Sequence, residues 1–95
     1  MRAVLLYERR IDYDDGSIVE LRIWHVSAPV PPSSHRYKYS LFFGLPGEAL
    51  VLYDNERGKG DHRHLLDVEL AYRLTTVERL LADFWSDVRA MRGKR

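Results

Sequence analysis

Tyr37-Lys38-Tyr39-Ser40-Leu41-Phe42-Phe43-Gly44-Leu45-Pro46-Gly47-Glu48-Ala49-Leu50-Val51-Leu52-Tyr53 reads as strand, turn and strand. Tyr37, Tyr39, Leu41 and Phe43 alternate onto one face, and Lys38, Ser40 and Phe42 onto the other. Glycines bracket Leu45-Pro46, which marks Gly44 to Gly47 as the turn. The second strand, Glu48 to Tyr53, carries Ala49-Leu50-Val51-Leu52. That run is apolar on both faces and predicts a central place in a sheet. Two adjacent strands joined by so short a turn must run antiparallel.

Upstream, three prolines in Pro29-Val30-Pro31-Pro32 cannot donate to a ladder, so Ala28 to Ser34 is a loop. Ser17 to Val26 alternates before it. Val19, Leu21 and Ile23 face the core, while Ile18, Glu20, Arg22 and Trp24 point away. Asp14-Asp15-Gly16 is a hairpin signal, and Ala3 to Arg9 supplies the first strand. Downstream, Asp54 to Gly60 has two glycines and no apolar residue and reads as a loop. Asp61 to Val68 resumes as a strand. Thr75 with Glu78 forms a capping box for a helix. Val77, Leu80, Leu81, Phe84, Val88 and Met91 share one helical face, and Gly93 supplies the stop. The expected fold is α+β: an antiparallel β-meander of four to five strands with one C-terminal amphipathic helix packed on one face. The opposite face is left for solvent, substrate or a partner.

Ninety-five residues make one domain, residues 1–95, with a modest core. The 45% hydrophobic and 31% charged fractions are those of a soluble globular protein. No cysteine is present, which excludes a disulfide framework and a thiolate zinc site. No apolar run approaches the roughly 20 residues of a membrane span. Glu8 interrupts what a signal peptide would keep apolar, so the cytoplasm is the expected location. A net charge of +1 makes no global electrostatic case for nucleic acid. Positive charge is instead local, at Arg57, Lys59 and Arg63, and again at Arg89, Arg92, Lys94 and Arg95. The second cluster is explained by solvated charge at a helix C-terminus.

Chemistry concentrates in Tyr53-Asp54-Asn55-Glu56-Arg57-Gly58-Lys59-Gly60-Asp61-His62-Arg63-His64. On a strand, His62 and His64 point to the same side, about 6.6 Å apart along it at a rise of roughly 3.3 Å per residue. Imidazole titrates near neutrality, so two can divide acid and base roles. RNA cleavage needs that division: a base for the 2′-hydroxyl, an acid for the departing 5′-oxygen, and a cation on the crowded phosphate. Lys59 and Arg63 are the neighbouring cations, and Asp54 or Asp61 is the candidate to orient a ring. Gly58 and Gly60 let backbone amides approach a phosphate. The proposed catalytic set is His62, His64, Lys59, Asp54 and Asp61. Arg63, Asn55, Lys38, His35, Arg57 and Tyr39 are the candidate substrate contacts. His35-Arg36-Tyr37-Lys38-Tyr39 interleaves cations with aromatics, a pattern that suits RNA, although core packing explains the tyrosines equally well.

At these residues the sequence resembles the TumE family of small bacterial toxins. The resemblance runs from Arg22-Ile23-Trp24 through the proline loop and His35 to Phe42. It takes in the whole Tyr53 to His64 block and continues through Tyr72 to the Leu80-Leu81-Ala82-Asp83-Phe84 helix. Asp-Asn followed by His-X-His is its specific part. Many relatives have a longer, histidine-rich loop after Asp-Asn, where this chain has the compact Glu56 to Asp61. The resemblance implies a growth-inhibiting toxin, with a cognate helix-turn-helix, DNA-binding antitoxin as partner.

The expected activity is metal-independent endoribonuclease action, with RNA as substrate and no cofactor. Two rivals stand beside it. One is a non-catalytic module that binds nucleic acid or a partner. The other is a metal-dependent hydrolase built on a 2-His-1-carboxylate site from His62, His64 and Asp54 or Asp61. Trp24 and Trp85 are candidate anchors for an antitoxin or for a second copy of the chain in a homodimer.

Overall fold

The computed structural model describes residues 2–93. Lys94 and Arg95 of the basic tail lie outside the described residues. Six strands and one helix follow in order: β1 (Ala3–Asp12), β2 (Ile18–Val26), β3 (Tyr37–Leu45), β4 (Glu48–Glu56), β5 (Gly60–Leu65), β6 (Val68–Ala71) and α1 (Val77–Gly93). Every strand pairs antiparallel with its sequence neighbours, in the order β1-β2-β3-β4-β5-β6. This is the expected α+β meander, with one strand more than expected.

Turn chemistry explains the registers. Gly16 takes φ +88° at the β1–β2 turn, where Asp15 accepts from the Ser17 backbone N–H and hydroxyl. Between β3 and β4 the turn is only Pro46-Gly47, because Leu45 and Glu48 already pair. Proline presets the first position and Gly47, at φ +80°, fills the second. Gly44 sits at a register shift, and a side chain there would collide with the Glu48 carbonyl oxygen. Alternation then sorts each strand between two faces. Val19, Leu21, Ile23, Tyr39, Leu41, Phe43, Val51 and Tyr53 are fully buried on one of them.

That face is covered by α1. Leu80, Phe84 and Val88 are its buried stripe, and the Phe84 ring meets Tyr53 edge-on at 5.9 Å between centroids. Arg63 clips the two layers together. Its Nη1 donates to Tyr53 Oη at 3.0 Å and to Asp87 Oδ2 of the helix at 3.2 Å, and Tyr53 donates its own hydroxyl to Asp87. Trp85 packs edge-on to Phe84 at 5.4 Å beneath the Arg9 guanidinium. Arg92 of the tail stacks over Tyr13 at 3.7 Å.

The helix start differs from the expected capping box. Thr76, not Thr75, accepts the Arg79 N–H on its hydroxyl at 3.0 Å. The residue three beyond the cap is therefore Arg79 rather than Glu78, and the reciprocal bond of a capping box has no donor–acceptor pair. The sequence carries two threonines in a row, and the cap falls on the second.

Phe84 is the hinge of this packing. Phe84→Ala should cost about 3–5 kcal/mol through lost burial and a cavity, read as a fall in the urea midpoint with an unchanged slope.

Candidate active site

Asp54 to Gly60 is mostly strand, not the expected loop. β4 runs on to Glu56, which pairs with Gly60 of β5, so only Arg57-Gly58-Lys59 form the turn. Gly58 and Gly60 adopt φ of +90° and +76° there. The proline loop packs against this hairpin: Gly58 N–H donates to the Pro31 carbonyl at 2.8 Å, and Pro32 lies against Gly60. Extending the strand decides the site, since Asp54 now pairs with His62, Leu52 with His64 and Tyr53 with Arg63. Paired residues share a face, so the segment's chemistry is divided between the two sides of the sheet.

Asp54, His62 and His64 lie on the face that α1 leaves uncovered. Their rings stand perpendicular, with centroids 5.1 Å apart. His62 is 5% exposed, whereas the His64 side chain is 30% exposed. His62 Nδ1 donates to the Gly60 carbonyl at 3.0 Å, which turns Nε2 toward Asp54 Oδ1 at 2.5 Å. No hydrogen bond of good angle reaches that buried oxygen, so the approach is a charge contact rather than a linear bond. Burial holds the Asp54 carboxyl above the ordinary range, opposed by His62 and Lys38, which favour its ionised form.

Glu69 of β6 completes the cluster. Its Oε1 lies 3.4 Å from His64 Nε2, 4.0 Å from His62 Nε2 and 3.5 Å from Lys59 Nζ. Lys59, His62, Glu69, Leu70 and Ala71 line a cleft of about 250 Å³. The sequence signals one continuous strand from Asp61 to Val68, which leaves Glu69 outside it. In the structure Leu66-Asp67 is a two-residue turn, and Glu69 pairs with His64 across it. Leu66 takes φ +56°, which leucine rarely adopts, so no turn signal marks the site in the sequence. Two triplets of ligand-type atoms lie within 4.8 Å of one another: His62, His64 and Glu69, and Asp54, Glu56 and His62.

Asn55, Asp61, Arg63, Tyr39 and His35 gather on the other, helix-covered side. Asn55 is fully buried beyond the last β3–β4 pair. It substitutes for ladder bonds there, accepting from Tyr39 N–H at 3.0 Å and donating to the Tyr37 carbonyl at 2.7 Å. Asp61 does not touch His62. Its Oδ1 accepts from Tyr39 Oη at 2.7 Å and His35 Nε2 at 2.8 Å, and its Oδ2 accepts from Leu74 N–H at 3.0 Å. His35 Nδ1 accepts from Tyr37 N–H, which fixes the neutral tautomer with the proton on Nε2. Burial alone would raise the Asp61 carboxyl, but bonds from His35, Leu74 and Tyr39 outweigh it and hold it low. Burial and Asp61 push the Tyr39 phenol far up. Lys38 remains on the open face, donating to the Asn55 carbonyl at 2.7 Å, and Arg57 stands at the hairpin tip.

An antiparallel sheet with one face sealed by a helix and an imidazole–carboxylate cluster on the other defines a small α+β protein with a surface site. The family model described as Toxin TumE matches residues 2–92, and the chain belongs to that family. Its membership supports a toxin role. No curated protein and no solved structure matches significantly. Among the described residues no helix is long and apolar enough to cross a membrane.

The two carboxyls have opposite linkage to pH. Asp61, held low when folded, contributes stability that is present above the unfolded pKa of about 3.9 and lost as pH falls through its folded value. Asp54, held high, makes the folded state lose stability as pH rises from that unfolded value through its own. Asp61→Asn should cost about 2–3 kcal/mol near neutrality, and the difference from wild type should shrink below pH 4 in acid titrations of the urea midpoint. Asp54→Asn should leave the midpoint at pH 7 equal or higher.

Proposed function

We propose that this chain is the toxin of a toxin–antitoxin pair and an endoribonuclease that works without metal. The observation that carries the reading is the pair of imidazoles, 5.1 Å apart on one open face, backed by a half-buried carboxyl 2.5 Å from one ring. His64, the more exposed ring, meets substrate and takes the proton of a ribose 2′-hydroxyl. The 2′-oxygen attacks phosphorus, the bond to the 5′-oxygen breaks, and His62, with Asp54 beside its Nε2, gives a proton to that leaving oxygen. The products are a 2′,3′-cyclic phosphate and a 5′-hydroxyl, with no oxidant or reductant needed. Lys38 and Lys59 flank the cluster as cations for the phosphate. Asp61, Asn55, Arg63, Tyr39 and His35 act by positioning β3, β5 and the helix, since each is bonded on the covered side, Arg63 through its Nη1.

A metal-dependent hydrolase is the second reading. It is favoured by the His62, His64 and Glu69 ligand atoms converging within 4.8 Å, with His62 Nδ1 tied to a carbonyl so that Nε2 is presented. A cytoplasmic antitoxin with a DNA-binding helix-turn-helix domain is the proposed partner in either case, and a homodimer is a further assembly to be tested by its mass in solution.

A purified chain incubated with RNA should leave 2′,3′-cyclic phosphate ends, unchanged by a chelator. His64→Ala and His62→Ala should each reduce the rate by about 10²-fold or more, and Asp54→Asn should reduce it without loss of folded protein. Abolition by chelator with rescue by a divalent cation would establish the metal reading instead. RNA bound but left intact under both conditions would leave a binding module.

A further inference from the structure

Beside the acidic cluster lies a second cleft of different character. It holds about 410 Å³ and is lined by Ala3, Trp24, Val26, Val30, Lys38 and Arg57. Its floor is apolar, with Val26 and Val30 buried, and the charged residues in its lining are both cations. The neighbouring cluster has the opposite make-up, with Asp54, Glu56 and Glu69 around two imidazoles. Lys38 stands between the two. Its backbone pairs with Trp24, and its ammonium favours the ionised form of Asp54.

Both key side chains of this cleft are free. Among the described residues Trp24 has no hydrogen bond and no ring or cation partner, while Trp85 is engaged by Phe84 and Arg9. Arg57 has no ion pair there, whereas Arg10, Arg22, Arg63 and Arg79 each hold a carboxylate. An indole with an open face and a spare N–H, next to two cations, matches an unpaired nucleobase with its flanking phosphates. An acidic peptide without aromatic side chains would use the cations but leave the indole face without a planar partner.

We propose that this cleft is a nucleobase subsite for the RNA strand being cut, with the base stacked on Trp24 and a flanking phosphate on Arg57, while Lys38 lies between this cleft and the scissile phosphate. The inference rests on the ribonuclease reading above. Trp24 on β2 and His62 on β5 are three strand spacings apart, roughly 14 Å at about 4.8 Å each. Extended single-stranded RNA crosses that gap in a few nucleotides, so the base held here lies a short way along from the scissile bond.

The test uses the Trp85→Phe chain, in which Trp24 is the remaining tryptophan, and a 2′-O-methyl oligoribonucleotide that cannot supply the attacking hydroxyl. Stacking should quench the Trp24 fluorescence saturably. In cleavage of unmodified RNA, Trp24→Ala should raise KM about 5- to 100-fold, the effect of losing one stacked base, with kcat changed less than threefold and Trp24→Phe largely restored. Arg57→Ala should lower the salt dependence of binding by about 0.7 in the log–log slope, one phosphate contact on a single strand. RNA cleavage that persists with no quenching and an unaltered KM in Trp24→Ala would overturn the subsite and leave the ribonuclease intact. Quenching by the oligonucleotide with no cleavage of RNA by wild type would overturn the ribonuclease and keep the subsite as a binding surface. Absence of both would overturn the two together.

Discussion

The burial of the Leu80, Phe84 and Val88 stripe against the sheet is the contact on which the rest of this molecule depends. Once α1 occupies one face, the twofold alternation of every strand assigns its residues to a dry side and a wet side. A slip of one residue in β5 would exchange His62 and His64 for Asp61 and Arg63 and dissolve the site. Register therefore decides whether the cluster exists. It is held by Gly44 and Pro46-Gly47 on one side and by the Arg57-Gly58-Lys59 turn on the other.

The polar groups on the covered side serve that same end. Asn55 closes the backbone of β3 where strand pairing stops. Asp61 gathers Tyr39, His35 and the Leu74 amide, so that β3, β5 and the segment leading to the helix meet on one carboxylate. Buried and fully bonded, such groups specify geometry more than they add stability. The open-face groups are less well satisfied. Asp54 Oδ1 lacks a well-directed bond, and two imidazoles crowd three carboxylates. Unsatisfied, closely spaced titratable groups at a surface are what proton transfer or cation binding needs and what a folding core avoids.

Much of the fold was legible in the residues. Alternation in Ser17–Val26 and Tyr37–Phe43, the proline loop, the Asp-Asp-Gly and Pro-Gly turns and the helical stripe are local signals, and local physics sets them. The cap of α1 falls one residue beyond the Thr75–Glu78 pattern, on the adjacent Thr76, which offers the same hydroxyl. The sixth strand was hidden because its turn uses Leu66 at a positive φ, a conformation that the packed sheet imposes and the residue does not favour.

By itself, the sequence determined an antiparallel meander with one helix, and it put His62 and His64 on a common side, since period-two alternation is intrinsic to an extended chain. Tertiary structure alone decided which carboxylates join them. Asp54 entered the cluster and Asp61 left it because β4 continues as strand through Glu56, and Glu69 arrived from a strand pair formed across a turn. Cross-strand pairing is a relation between distant residues, fixed by the burial of a whole face, and no short window of residues contains it.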